Sequence, residues 1–244
     1  MIAMLGMYDM PEIQPANDRY WQAIRDRLGY GPASLSRDLD YWKTWQSPDL
    51  LLGQTCGMPY RTRLYDKVTL IGTPDFGLPD CPPGYYQSVI VARSEDTRDT
   101  PQDFDGTRFA YNEDMSQSGW AGPLHFLKGL RFSGIVPTGG HRLSLHAVAE
   151  GRADIAGIDA VTWLLLCEHD RLAAQLKVIA KTTPTPGLPY ITAQGRDPAP
   201  IADAIAAAIA DLDEQDRRAL HIRGLVRIET ADYLSVPTPQ PVGV

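Results

Sequence analysis

The chain has 244 residues and a formal net charge of -7, long enough to bury a substantial core and too acidic to suit a nucleic-acid partner, which calls for a basic face. Its hydrophobic fraction of 43% and charged fraction of 22% are those of a globular protein. The longest apolar runs, such as residues 160–167, fall far short of the roughly 18 residues of a membrane span, so no membrane insertion is expected.

The apolar opening, residues 1–8, lacks the basic flank of a signal peptide, and Asp9 and Pro11 end it too soon. It reads as the first strand, starting at residue 2. As written, the chain is expected in the cytoplasm, or in the periplasm if a leader has been removed. Residues 17–28 place Trp21, Ile24 and Leu28 on one helical face. The aromatic-rich stretch 36–45 is predicted as a second helix starting near Ser36, with Trp42 and Trp45 packing inward. Residues 49–53 form a buried strand that breaks into Gln54-Thr55-Cys56-Gly57-Met58-Pro59-Tyr60. A third strand covers 68–73, a Gly- and Pro-rich loop 75–84, and a long alternating strand 85–93.

Residues 107–111 have strand character and run into the polar turn Asn112-Glu113-Asp114-Met115-Ser116-Gln117-Ser118-Gly119, which opens a predicted helix over 120–130. Next comes Ile135-Val136-Pro137-Thr138-Gly139-Gly140-His141, then a helix over 144–150 closed by Gly151. Residues 153–158 form a strand, and Asp159 stands where it can cap a helix over 160–167. A strand over 176–182 leads to an extended Pro-rich crossing, 183–189. Residues 200–211 and 213–220 are helices, and the tail from Pro237 is expected to be loose. Cys56, Cys81 and Cys167 fit neither a disulfide framework nor metal-ligand spacing. They are expected to be free thiols, with Cys167 in the core, and no metal or cofactor is expected.

Strands alternating with helices predict an α/β protein with mostly parallel sheets. Such sheets bind ligands beyond the carboxyl ends of their strands, where polar clusters recur: Tyr8-Asp9, Gln54-Thr55, Ser116 to Ser118, Thr138 to His141, and Asp159. The Ser116–Ser118 turn combines unpaired first-turn N–H groups with two hydroxyls, which suits an anion. The helix dipole adds only about 0.3–1 kcal/mol, so several donors must converge. Each candidate also has a purely structural role open to it. Ser116 can serve as an N-cap, Asp159 as a helix cap, and Tyr8, Tyr60 and Tyr190 as core. His141 can donate to an anion, act as a base, or cap. Cys56 with His141 as its base lacks a nucleophile elbow, so no catalytic residue is assigned.

The Gln54-Thr55-Cys56-Gly57 stretch, the Ser116-Gln117-Ser118-Gly119 turn and Ala147-Val148-Ala149-Glu150-Gly151-Arg152-Ala153-Asp154-Ile155-Ala156 ahead of Asp159 resemble the phosphonate/phosphite/phosphate-binding, PhnD-like family. The similarity spans about residues 2–193. It implies the type 2 periplasmic-binding-protein fold: two α/β lobes joined by two crossing strands, lobe one being 1–87 plus 186–244 and lobe two 88–185, with the ligand cleft between them. It also implies an anion site at Ser116, Gln117 (through its N–H) and Ser118, an aromatic contact at Tyr8, and an acidic contact for an ammonium at Asp159. With the strand-end clusters, the expected ligand-binding set is Tyr8, Gln54, Thr55, Tyr60, Ser116, Gln117, Ser118, His141, Asp159 and Tyr190.

The function expected is a solute-binding protein that clamps a small anionic or zwitterionic, phosphonate- or phosphate-like ligand, with a transporter permease or a signalling partner reading the closed state. The alternative is a cytoplasmic enzyme on the same scaffold acting on a small cofactor or quinone precursor.

Overall fold

The structure is a computed structural model and describes residues 1–239. The expectation for the tail lies partly outside these residues. In chain order the first elements are β1 (Ile2–Met4), α1 (Gln14–Leu28), α2 (Tyr41–Trp45), β2 (Leu50–Gln54), α3 (Gly57–Pro59), β3 (Val68–Asp75), β4 (Tyr85–Tyr86) and β5 (Ser88–Arg93). They are followed by β6 (Arg108–Tyr111), α4 (Gly122–Phe126), β7 (Gly134–Pro137), α5 (His141–Ala149), β8 (Ile155–Asp159), α6 (Ala160–His169) and β9 (Leu176–Lys181). The last are β10 (Thr185–Pro186), β11 (Tyr190–Ala193), α7 (Ala199–Ala210), α8 (Glu214–Leu220), β12 (Gly224–Val226) and α9 (Thr230–Leu234). Among the described residues no helix is long and apolar enough to cross a membrane.

The chain divides into two compact units, Met1–Tyr85 with Pro186–Ser235, and Tyr86–Thr185 with residues 236–239. Unit one holds a five-stranded sheet in the order β1-β2-β11-β3-β12. Strand β2 is buried along its whole length, and Met4, Trp45, Leu50, Tyr60, Leu64, Ile191 and Tyr233 form one core cluster of this unit. Helix α1 buries Tyr20, Trp21 and Ile24 and ends at Gly29, whose φ of 75° only glycine adopts at little cost. Unit two holds a second five-stranded sheet, β7-β6-β8-β5-β9, over a core built from Ile90, Phe104, Phe109, Trp120, Leu127 and Ile155. The segments β4 and β10, where the chain passes from one unit to the other, pair as a two-stranded ribbon.

The sheets are mixed, as the fold class implies, but antiparallel pairs outnumber the parallel ones among the described strands. β1–β2, β6–β7 and β6–β8 pair in parallel. β11 and β5 each run antiparallel between two neighbours, because each is a strand arriving from the other unit. Several elements are shorter than their sequence pattern. The predicted helix from Ser36 begins only at Tyr41, where the Asp40 carboxylate accepts the Lys43 N–H; the Ser36 N–H donates instead to the Ala3 carbonyl. The strand predicted over 85–93 breaks at Gln87 into β4 and β5. Cys167, expected in the core, is exposed: α6 turns Leu165 and Leu166 inward, which puts the next residue on the outer face.

Candidate functional site

In unit two, β6, β7 and β8 run parallel, so Tyr111, Pro137 and Asp159 all end at one edge of the sheet. The two turns that leave β6 and β7 are tied together there. The Tyr111 carbonyl accepts from both the N–H and the hydroxyl of Thr138, each at 2.9 Å, and Gly139 N–H donates to the Asn112 carbonyl at 2.8 Å. The Tyr111 hydroxyl donates to Asp114 at 2.6 Å. Burial, helped by this acceptor, pushes the phenol up to about 12. Its ring lies 4.4 Å from that of Trp120, centroid to centroid, so the turn from 112 to 119 is held at both ends.

The turn itself is a wide one. Ser116 stands at its head in extended conformation, its Oγ accepts the Gly119 N–H at 2.9 Å, and its carbonyl accepts from Ala121, five residues on. The helix continues through Gly122–Phe126 and stops well short of the predicted residue 130, with Gly129 at a φ of 104°. Gln117 and Ser118 are the first residues after the Ser116 cap, the positions whose amides a helix does not satisfy internally. Ser116, Gln117 and Ser118 are all buried. Ser118 Oγ lies 3.0 Å from His141 Nε2, His141 being the first residue of α5.

Burial lowers His141 to about 4, although the Gly157 carbonyl favours the protonated ring. The imidazole is therefore neutral near pH 7, and the cluster presents neutral donors rather than a cation. Gly119 allows a close approach: a Cβ there would sit 1.8 Å from Asn112 Oδ1, so any larger residue would displace the Asn112 side chain. Asp159, at the end of β8, is a helix cap, its Oδ1 accepting the N–H groups of Val161 and Thr162 at 2.8 and 3.0 Å.

In unit one, Tyr8, Gln54 and Tyr190 come together with Asn17, Tyr20 and Phe76 around a cavity of about 20 Å³, room for about one water. Tyr8 meets Phe76 edge to face, with centroids 5.2 Å apart. Burial pushes the Tyr190 phenol up to about 12. The neighbouring Asp9 carboxylate is held by Arg37 at 2.6 Å and Asn17 at 2.9 Å. Gln54 donates its side-chain amide to the Leu188 carbonyl at 3.3 Å, and Thr55 donates its backbone N–H to Pro189 at 3.1 Å. Tyr60 is 1% exposed and part of the unit-one core, with its hydroxyl 2.9 Å from Thr230 Oγ1.

Residues 66–234 match the family model described as the ABC-transporter phosphonate periplasmic substrate-binding protein. The chain belongs to this family. The match includes Ser116, Gln117, Ser118, His141, Asp159 and Tyr190, while Tyr8, Gln54, Thr55 and Tyr60 precede it. Among solved structures, the fold is similar to that of PhnD1 from Prochlorococcus marinus in complex with methylphosphonate, at 15% identity and a TM-score of 0.76, covering 95% of this chain and 94% of that one. It is similar also to a binding-protein component of an ABC phosphonate transporter from Pseudomonas aeruginosa, at 16% identity and a TM-score of 0.69, covering 96% and 82%. A third similar structure is a Xanthomonas citri protein bound to chloride ion, at 13% identity and a TM-score of 0.68, covering 96% and 98%. No match is found among curated proteins. The two-lobe, type 2 periplasmic-binding fold of the phosphonate-binding family is thus the fold of this chain, and the family is periplasmic.

Residue-type reasoning passed over Asn112, which the structure sets directly above Gly119. Its Oδ1 is shielded from solvent with no hydrogen-bond donor among the described residues. Its one sequence signal is its place directly after strand β6. The Thr138–Ser144 contact at 2.7 Å, which fixes the start of α5 and so His141, had no signal in the sequence, because it depends on how two turns meet.

Proposed function

We propose that this chain is a substrate-binding protein for a small anionic or zwitterionic solute of the phosphonate or phosphate class, received at the 116–118 turn and His141 of unit two and enclosed when the units close on it. What supports this reading most is the buried Ser116–Ser118–His141 cluster at the sheet edge, in a chain of the phosphonate-binding family. A site of hydroxyls, amides and a neutral imidazole offers hydrogen bonds to a tetrahedral oxyanion without a fixed positive charge. A transporter permease is the partner this reading implies. Asp159 faces the amine of an aminophosphonate only through whatever capacity remains beyond its two capping bonds.

Thermal unfolding with methylphosphonate, an aminophosphonate, phosphate, phosphite and sulfate tests this. A phosphorus oxyanion at a hundred times its Kd should stabilise the chain by about 2.7 kcal/mol. Ser118→Ala should weaken that ligand by about ten-fold, the value of one good hydrogen bond, with the fold kept, whereas Ser116→Ala should also cost about 1 kcal/mol of stability through the lost cap. No stabilisation by any member of the panel, or turnover of the compound that binds, would contradict the reading.

A further inference from the structure

Helix α9 contains none of the candidate ligand residues, yet it is bonded to the segment that re-enters unit one. Tyr233 is 1% exposed and stacks edge to face on Tyr60, with centroids 4.9 Å apart. Its hydroxyl donates to the Gly187 carbonyl at 3.0 Å, so Thr73 Oγ1, at 2.6 Å, donates to the Tyr233 oxygen.

Gly187 lies immediately after β10, where the chain has just crossed. Its N–H donates to the Gly84 carbonyl at 2.8 Å, just ahead of the first crossing. A Cβ at Gly187 would stand 2.6 Å from that same oxygen, so the approach of the two crossings is one that glycine alone permits. Leu188 and Pro189 give their carbonyls to Gln54 and Thr55. On the unit-two side, Thr182 and Ser88 exchange two hydrogen bonds, each at 2.9 Å. The second crossing is therefore fixed at residue 182 and again at residues 187–189; between these sets of bonds lie 183–186, of which β10 pairs with β4 in the ribbon.

We propose that α9 is a clasp for the hinge: through Tyr233 it fastens Gly187 to unit one and confines the bending of the second crossing to residues 183–186. Hinges absorb a conformational change in a few residues at element ends, and fastening one side decides which few. On this account Gln54 and Thr55 are positioning residues that hold the crossing segment, whatever the ligand.

Amide hydrogen exchange without ligand tests the clasp directly and does not depend on the functional reading. Tyr233→Phe keeps the ring and removes only the hydroxyl. It should speed exchange of the Gly187 and Thr55 N–H groups by about ten-fold, while Leu52 and Ile90 inside the sheets stay as they were. Thr230→Val, on the same helix but bonded to Tyr60, should leave the Gly187 and Thr55 rates unchanged. Unaltered exchange at Gly187 in Tyr233→Phe, or a uniform rise across both sheets, would overturn the proposal. If Tyr233→Phe does not fold, the unaltered protein decides. Its Gly187 N–H should exchange about ten-fold more slowly than that of Thr183, and equal rates would overturn the clasp.

Discussion

Ser116 and Ser118 are two residues apart and have different work. Ser116 spends its oxygen as an acceptor on the Gly119 amide, while Ser118 turns to His141. The sequence placed both at a helix start and could not divide the roles, because the division depends on a histidine 23 residues away. His141 carries a testable consequence. Its pKa in the folded chain is about 4, below the ordinary value near 6.5. Between those two values the unfolded chain binds more protons than the folded one, so stability is lost as pH falls from about 6.5 to about 4 and is unaffected by this group below that. Urea midpoints measured across that range should fall more steeply for the unaltered protein than for His141→Gln. Equal slopes would mean that the imidazole is not held neutral by its surroundings.

Among the elements, the strands buried on both faces were the most legible. Leu50-Leu51-Leu52 and Ile155 to Ile158 carry continuous apolar runs with clear polar stops, and both fold where expected. Helix ends were less so. The helix after Ser116 opens with a wide turn and ends before Gly129, because Gln117–Ala121 follows an i to i+5 bond that no spacing rule anticipates. Asp159 was expected either as a cap or as a ligand contact, and its two amide bonds establish the capping role at the start of α6. Asp159→Ala should therefore cost about 1 kcal/mol of stability, read from the urea midpoint. Asp159→Asn, which keeps an acceptor oxygen, should recover most of it. If both variants are as stable as the parent, the cap contributes nothing, and the residue's place at the sheet edge would need a different explanation.

At the scale of the whole molecule, the alternation of strands and helices and three short motifs were enough to identify the fold, and the family match over residues 66–234 bears that out. The antiparallel share of each sheet was not legible, since much of it arises from β5 and β11 entering each sheet from the other unit. The core setting of Tyr60 was not legible for a related reason: its partner Tyr233 lies 173 residues further along the chain, in a helix that contains no ligand candidate. The account rests on the 116–119 turn as a receptor for an oxyanion, and amide NMR during titration with methylphosphonate tests it most directly. Saturable shifts should be largest at the N–H groups of Ser116, Gln117, Ser118 and Gly119, and should be diminished in Ser118→Ala at the same ligand concentration. Saturable binding that leaves those four amides unmoved, or no binding of any phosphorus oxyanion, would contradict it.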